Sequence, residues 1–232
     1  MPDDERRSSL RGWLSRVGAS LTGAGGDVDP GGSGGDAVHL SKALPRFFSA
    51  MEARPAPVLL DLGPVIGGNV SLLGDSLGCK VYIDNIFGDP QRASRDRRES
   101  EDCSGIGVEL RHPDDSIDGV LCWDVFEHLS QAAASKLVLN LVRIMKPGGM
   151  GMAIFSTERA PHPQFVKYSM VDRQHLRHRV TRAAVPPPRV WTSRDVQLLL
   201  TSFAVDESFL LTHQQRETLF HKSAAAGHHP RA

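Results

Sequence analysis

Apolar residues arrive in short bursts separated by stretches of helical spacing. Leu44, Phe47, Phe48 and Met51 share one helical face, with Ser41 as its cap and Pro45 in the first turn, where a missing N–H does no harm. Val58 to Leu62 reads as a short apolar strand. Val70, Leu73 and Leu77 give the next helix its buried face, and Asn69 is placed to cap it. Lys80 to Ile83 is a second strand, ending at Asp84; Ile117 to Trp123 is another, ending at Asp124. A helix opens at Ser130 and carries Leu137, Leu139, Leu141, Val142 and Met145. It stops at Lys146-Pro147-Gly148-Gly149, where a lysine suits a helix C-terminus and Pro-Gly a tight turn. Met150 to Phe155 is a further strand. Thr192 to Ser202 reads as a helix opened by a Thr192/Asp195 capping box. Phe203 to Leu211 and Glu217 to Lys222 then form two strands around the polar His213-Gln214-Gln215 turn. Strand alternating with helix predicts an α/β fold: an open, mostly parallel sheet, helices on both faces, closed by an antiparallel hairpin.

The chain has 232 residues, 40% hydrophobic and 23% charged, which suits one domain of ordinary core size plus a tail. Residues 1–37 are expected to be a short amphipathic segment and a Gly-rich linker, 38–222 the folded domain, and 223–232 a loose tail. Leu10, Trp13, Leu14, Val17 and Leu21 fall at helical spacing among arginines, so residues 6–21 offer weak contact with a membrane surface or a partner, or simply a frayed helix. A formal net charge of zero gives the whole molecule no bias toward nucleic acid or membranes. Cys79, Cys103 and Cys122 have neither paired nor metal-ligand spacing, so reduced thiols, a cytoplasmic location and no metal are expected.

In open α/β sheets the ligand lies beyond the carboxyl ends of the strands. Asp61, Asp84 and Asp124 mark three such ends. Asp84 can accept hydrogen bonds from both hydroxyls of a ribose, and Gly63, Gly67 and Gly68 let backbone approach a ligand. Together, Asp61-Leu62-Gly63, Asp84, "DDSIDGVLCWDVFEHL" and "LVRIMKPGG" resemble the class I S-adenosylmethionine-dependent methyltransferases, type 11-like, over roughly Pro57 to Phe155. The resemblance implies a Rossmann-like, seven-stranded sheet and S-adenosylmethionine as cofactor. It assigns Asp61, Gly63, Gly67 and Asp84 to cofactor binding, with Asp124 beside cofactor and acceptor. Val65 stands where the family has its middle glycine. A β-branched residue tolerates positive φ poorly, so either the loop takes another path, helped by Pro64, or affinity falls. Glu109 is a candidate for the adenine-side acid by type alone, and Asp114, Asp115 and Asp118 read as the turn before the next strand.

Methyl transfer to carbon or oxygen also needs a base. Asp124, Glu127 and His128 are the catalytic candidates, although Glu127 can equally brace the helix start and His128 pack beneath it. Residues 161–190 read as a basic insertion over the acceptor side, with six Lys and Arg against one acid, Asp172. Tyr168, Arg173, His175 and His178 there are candidate contacts for a small, anionic acceptor; a solvated basic face is the alternative. Nucleic acid is not expected, because no base-stacking motif accompanies the charge. Without a G-x-G-x-x-G after the first strand, a nicotinamide-dependent oxidoreductase is disfavoured. A non-catalytic protein of this fold, binding a partner through the basic segment, stands as the alternative function.

Overall fold

A computed structural model describes residues 36–86, 109–159, 164–182 and 189–223. The amphipathic segment 6–21, the Gly-rich stretch, the charged connection after residue 86 and the tail after residue 223 lie outside the described residues. In chain order the elements are β1 (Asp36–Leu40), α1 (Leu44–Glu52), β2 (Val58–Asp61), α2 (Gly67–Leu77), β3 (Lys80–Ile83) and β4 (Ile117–Trp123). A 3-10 turn (Val125–His128) and α3 (Gln131–Ile144) follow. Then come β5 (Met145–Ser156), β6 (Gln164–Met170), β7 (His175–Arg182), α4 (Ser193–Leu199), β8 (Ala204–Leu210) and β9 (Gln215–His221).

The main sheet has the order β3-β2-β4-β5-β9-β8 among the described residues. Its first four strands are parallel; β9 enters antiparallel between β5 and β8. This is the expected doubly wound α/β fold with its C-terminal hairpin. Because both faces are covered, β2 and β4 are buried along almost their whole length rather than alternating, and period two decides only which layer each side chain joins. Leu60, Val120, Cys122, Ala153, Phe155 and Phe220 pack with α3 and α4 on one face. Leu59, Leu121, Trp123, Met152, Ile154 and Leu219 pack with α1 and α2 on the other.

The helix starts obey local chemistry. Ser41 Oγ accepts from Leu44 N at 2.9 Å, Ser130 accepts from Ala133 N, and Thr192 and Asp195 close a reciprocal capping box. Asn69 departs from its expected role. It is buried within α2, and its amide binds the backbone of β6: Nδ2 donates to Tyr168 O at 3.1 Å and Met170 N donates to Oδ1 at 2.7 Å. A buried amide with both ends satisfied by another element acts as a tether rather than a cap. In α3 the helical phase turns Leu139 to solvent and Val138 inward. Asp118 is also not a turn residue. It lies within β4, where Arg54 at 3.0 Å and Lys146 at 2.7 Å hold its carboxylate, so Lys146 serves that ion pair rather than a helix end.

The basic stretch folds as a hairpin. β6 and β7 pair antiparallel, and β1 adds to β7 to make a separate three-stranded sheet. Its inner face carries Tyr168, Met170, Leu176 and His178, all buried. Its outer face carries Lys167, Arg177 and Arg179.

Candidate functional site

The carboxyl ends of β2, β3 and β4 lie side by side, because β2 pairs in parallel with both neighbours. Their last residues or first followers are Asp61, Asp84 and Asp124. Asp61 is buried, and its Oδ1 accepts from Gly63 N at 2.8 Å and from Trp123 Nε1 at 2.7 Å. Burial pushes its carboxyl above the ordinary range, against the pull of those two donors. The carboxylate therefore shapes the loop. A Cβ on Gly63 would meet Trp123 Cδ1 at 2.6 Å, so glycine is needed there for space.

Val65 is 70% exposed and is not among the residues at positive φ. The loop follows a path that a β-branched residue accepts, which answers the conflict set by the missing glycine. Beyond it α2 starts without a side-chain cap, and a Cβ on Gly67 or Gly68 would meet nothing within 4 Å. The helix thus opens with N–H groups and free space, a suitable place for a polar ligand.

Asp84 N donates to Asp61 O at 2.9 Å, which locks the two strand ends together. Its side chain is about one-third exposed, with Oδ2 2.8 Å from His112 Nε2. A pocket of about 260 Å³ opens there, lined by Asp84, Asn85, Ile86, Glu109, Leu110 and Arg111. Glu109, chosen from the sequence by type alone, thus shares a pocket with Asp84.

At the end of β4 the environment changes. Trp123 has φ +47°, rare for a bulky residue. Its indole bonds Asp61 and stacks on Tyr168, with ring centroids 5.6 Å apart and planes within 3°. Next to it, Asp124 is buried, with Tyr168 Oη at 3.4 Å and His128 Nε2 at 3.5 Å from its Oδ2. Gln215 Nε2 donates to Tyr168 Oη at 3.2 Å. Burial, then the carboxylates of Asp124 and Glu127, hold the Tyr168 phenol well above its ordinary pKa.

Glu127 is buried with Oε1 accepting from Ser156 N and Oε2 from Ser156 Oγ at 3.1 Å. Its carboxyl is pushed up to about 7, first by burial and then by the charge of Asp124. For His128 burial works to lower the pKa, but Asp124 and Glu127 outweigh it and hold the imidazole above its ordinary value.

The hairpin residues separate. Tyr168 and His178 face inward, their rings 4.9 Å apart edge to face. Arg173 and His175 sit at the hairpin turn instead. Arg173 pairs with Glu52 and lies over the Phe48 ring, and His175 Nδ1 is 2.9 Å from Asp172. Lys167, Arg177 and Arg179 stand on the outward face, because the pleat sends alternate residues to opposite sides. The sequence pattern gives Trp123, Ser156 and Gln215 no role at the site, and Asn69 only that of a cap. A tryptophan at a strand end, directly before an acid, was the one available signal.

Residues 60–153 match the model of a family described as "Methyltransferase domain". That stretch is less than half of the 232 residues, and over it the chain is similar to this family. The methyl donor this family implies is S-adenosylmethionine. The residues present fit such a group: the matched stretch offers an uncapped helix start flanked by open space, and a partly exposed acid facing a pocket. No curated protein matches the chain. Solved structures that resemble it include a SAM-dependent methyltransferase from Methanosarcina mazei, at 16% identity and TM-score 0.46, covering 74% of this chain and 94% of that one. The PH0226 protein from Pyrococcus horikoshii OT3 is similar at 18% identity and TM-score 0.46, covering 79% and 92%. The 1,6-didemethyltoxoflavin-N1-methyltransferase from Burkholderia thailandensis is similar at 17% identity and TM-score 0.47, covering 78% and 77%. Likenesses of this size say nothing about the acceptor. Among the described residues, no helix is long and apolar enough to cross a membrane.

Proposed function

We propose that this chain transfers the methyl group of S-adenosylmethionine to a small-molecule acceptor at the carboxyl end of β4. The observation that carries the reading is the row of Asp61, Asp84 and Asp124 on three adjacent parallel strand ends, beside an uncapped helix whose first two glycines face open space. When bound, the cofactor supplies an electrophilic methyl group on a sulfonium. The protein's share is to bind, orient and exclude water.

In this reading Asp84 accepts from the ribose hydroxyls, with Glu109 on the same pocket wall. The N–H groups of Gly67 and Gly68 face the polar end of the cofactor, and Asp61 keeps the loop in shape through Gly63 and Trp123. Tyr168 and Trp123 shield Asp124 from water. His128, made more basic by the adjacent Asp124, takes the acceptor's proton. Glu127, bound at both oxygens by Ser156, is a positioning residue that fixes the turn carrying His128.

Calorimetry with S-adenosylmethionine and S-adenosylhomocysteine tests this on wild type and Asp84→Ala. Micromolar binding, weakened tenfold or more by the substitution, about 1.4 kcal/mol, is the expected result. No heat at millimolar ligand with a folded protein overturns it. That outcome would favour a second reading, a non-catalytic protein that meets a partner through its basic surface. The outward placement of Lys167, Arg177 and Arg179 supports that alternative.

A further inference from the structure

His39 on β1, His178 on β7 and His213 in the β8–β9 turn converge from three elements far apart in sequence. One ligating nitrogen from each lies within 4.8 Å of the others. The rings crowd closely: centroids are 3.9 Å apart for His39 and His213, 4.6 Å for His39 and His178, and 5.4 Å for His178 and His213. Three imidazoles at this spacing cannot all be protonated without strong repulsion. Burial, with the nearby His39 and His213, drives His178 down to about 3, so its lone pair is free at neutral pH. Burial also lowers His213.

Gln215 is placed to orient His213. Gln215 Oε1 lies 3.0 Å from His213 Nε2, while the same amide donates through Nε2 to Tyr168 Oη. Read as a whole, that network puts the His213 proton on Nε2 and leaves Nδ1 as the lone pair, the arrangement that orients a metal-binding histidine. Neutral imidazole nitrogens suit borderline first-row divalent ions rather than magnesium or calcium.

We propose that His39, His178 and His213 form a three-histidine site for a zinc-class divalent cation. The fourth position is left to water or another ligand. Tetrahedral zinc sets imidazole nitrogens roughly 3.3 Å apart, so side-chain rotations that move each nitrogen inward on the order of 1 Å close the site. The ion clips the β1-β7-β6 sheet to the turn of the main sheet's hairpin. Through Gln215 and Tyr168 it is linked to Asp124. The inference is independent of cofactor binding.

The test uses the full chain stripped with chelator, in a background with His228 and His229 replaced by Ala so that the tail's histidine pair does not contribute. Zinc is titrated calorimetrically and counted by elemental analysis. The expected result is one zinc per chain and a raised Tm. His39→Ala and His213→Ala each weaken binding tenfold or more without changing the Tm of the metal-free protein by more than a few degrees. These two half-buried positions keep the test clear of the folding risk at His178. Cobalt should give the intense visible bands of a four-coordinate site, lost in both variants. No binding at 100 micromolar free zinc, or binding untouched by both substitutions, overturns the proposal.

Discussion

Two neighbouring strand ends in this protein are built in opposite ways. At β2 and β3, the loop after Asp61 is short and local, Gly67 and Gly68 face open space, and Asp84 stands partly exposed over a pocket. At β4, one strand over, Asp124, Glu127 and His128 are buried beneath Tyr168, and each carboxylate is tied to a distant element. The first region keeps open space around its loop, although Trp123 and His112 reach Asp61 and Asp84 from elsewhere in the chain. The second is assembled from the 3-10 turn, the end of β5, the β6–β7 hairpin and β9. Open local geometry suits a ligand that enters and leaves. Dry, cross-linked geometry suits groups whose protonation has to be set by their surroundings.

The sharpest way to break that contrast is to release the hairpin. Asn69→Ala deletes two buried hydrogen bonds and orphans Tyr168 O and Met170 N, so a loss of about 2–4 kcal/mol in chemical denaturation is expected. A loss below about 1 kcal/mol would mean the β6–β7 hairpin is held elsewhere.

Glu127 comes next. Its carboxyl sits at about 7 in the fold against an ordinary value of 4.5, so between those values the folded chain binds more protons than the unfolded chain. Its contribution is therefore fully present below pH 4.5 and is lost as pH rises to 7. His128, also raised, works in the same direction at higher pH. Glu127→Gln removes the Glu127 part, and the variant should gain on the order of 3 kcal/mol relative to wild type from pH 4.5 to 8. A pH-independent difference between the two denaturation series would show that Glu127 titrates normally.

A paired substitution separates space from fold. Gly63→Ala drives a Cβ into Trp123 and should cost about 1–3 kcal/mol in stability. Gly67→Ala meets nothing, so stability should hold or rise by up to about 1 kcal/mol. Its affinity for S-adenosylhomocysteine should nevertheless fall about tenfold in calorimetry. Equal effects at the two positions would erase the distinction. The smallest effect is expected on the hairpin's outer face. Arg179→Ala breaks an exposed pair with Asp36 and should move Tm by about one degree or less, leaving cofactor affinity unchanged.

What the sequence by itself determined was everything governed by near neighbours. Apolar bursts and helical spacing predict the strands and helices of the main sheet but not β1, β6 or β7, and the caps at Ser130 and Thr192 follow from groups three positions apart. The acids at three strand ends were legible because chain direction alone puts them on one edge of a parallel sheet. Tertiary structure decided what those acids touch. Asn69 reads as a cap until β6 arrives to take both ends of its amide. Val65 reads as a clash until the loop's actual path is known. The basic run reads as one charged surface, but pairing with β1 and the pleat sort it into an inner face with Tyr168 and His178 and an outer face with the arginines. The three-histidine cluster is the extreme case. No local pattern encodes it, because its members meet only after two sheets have formed and packed, and long-range proximity is a property of the fold rather than of the spacing along the chain.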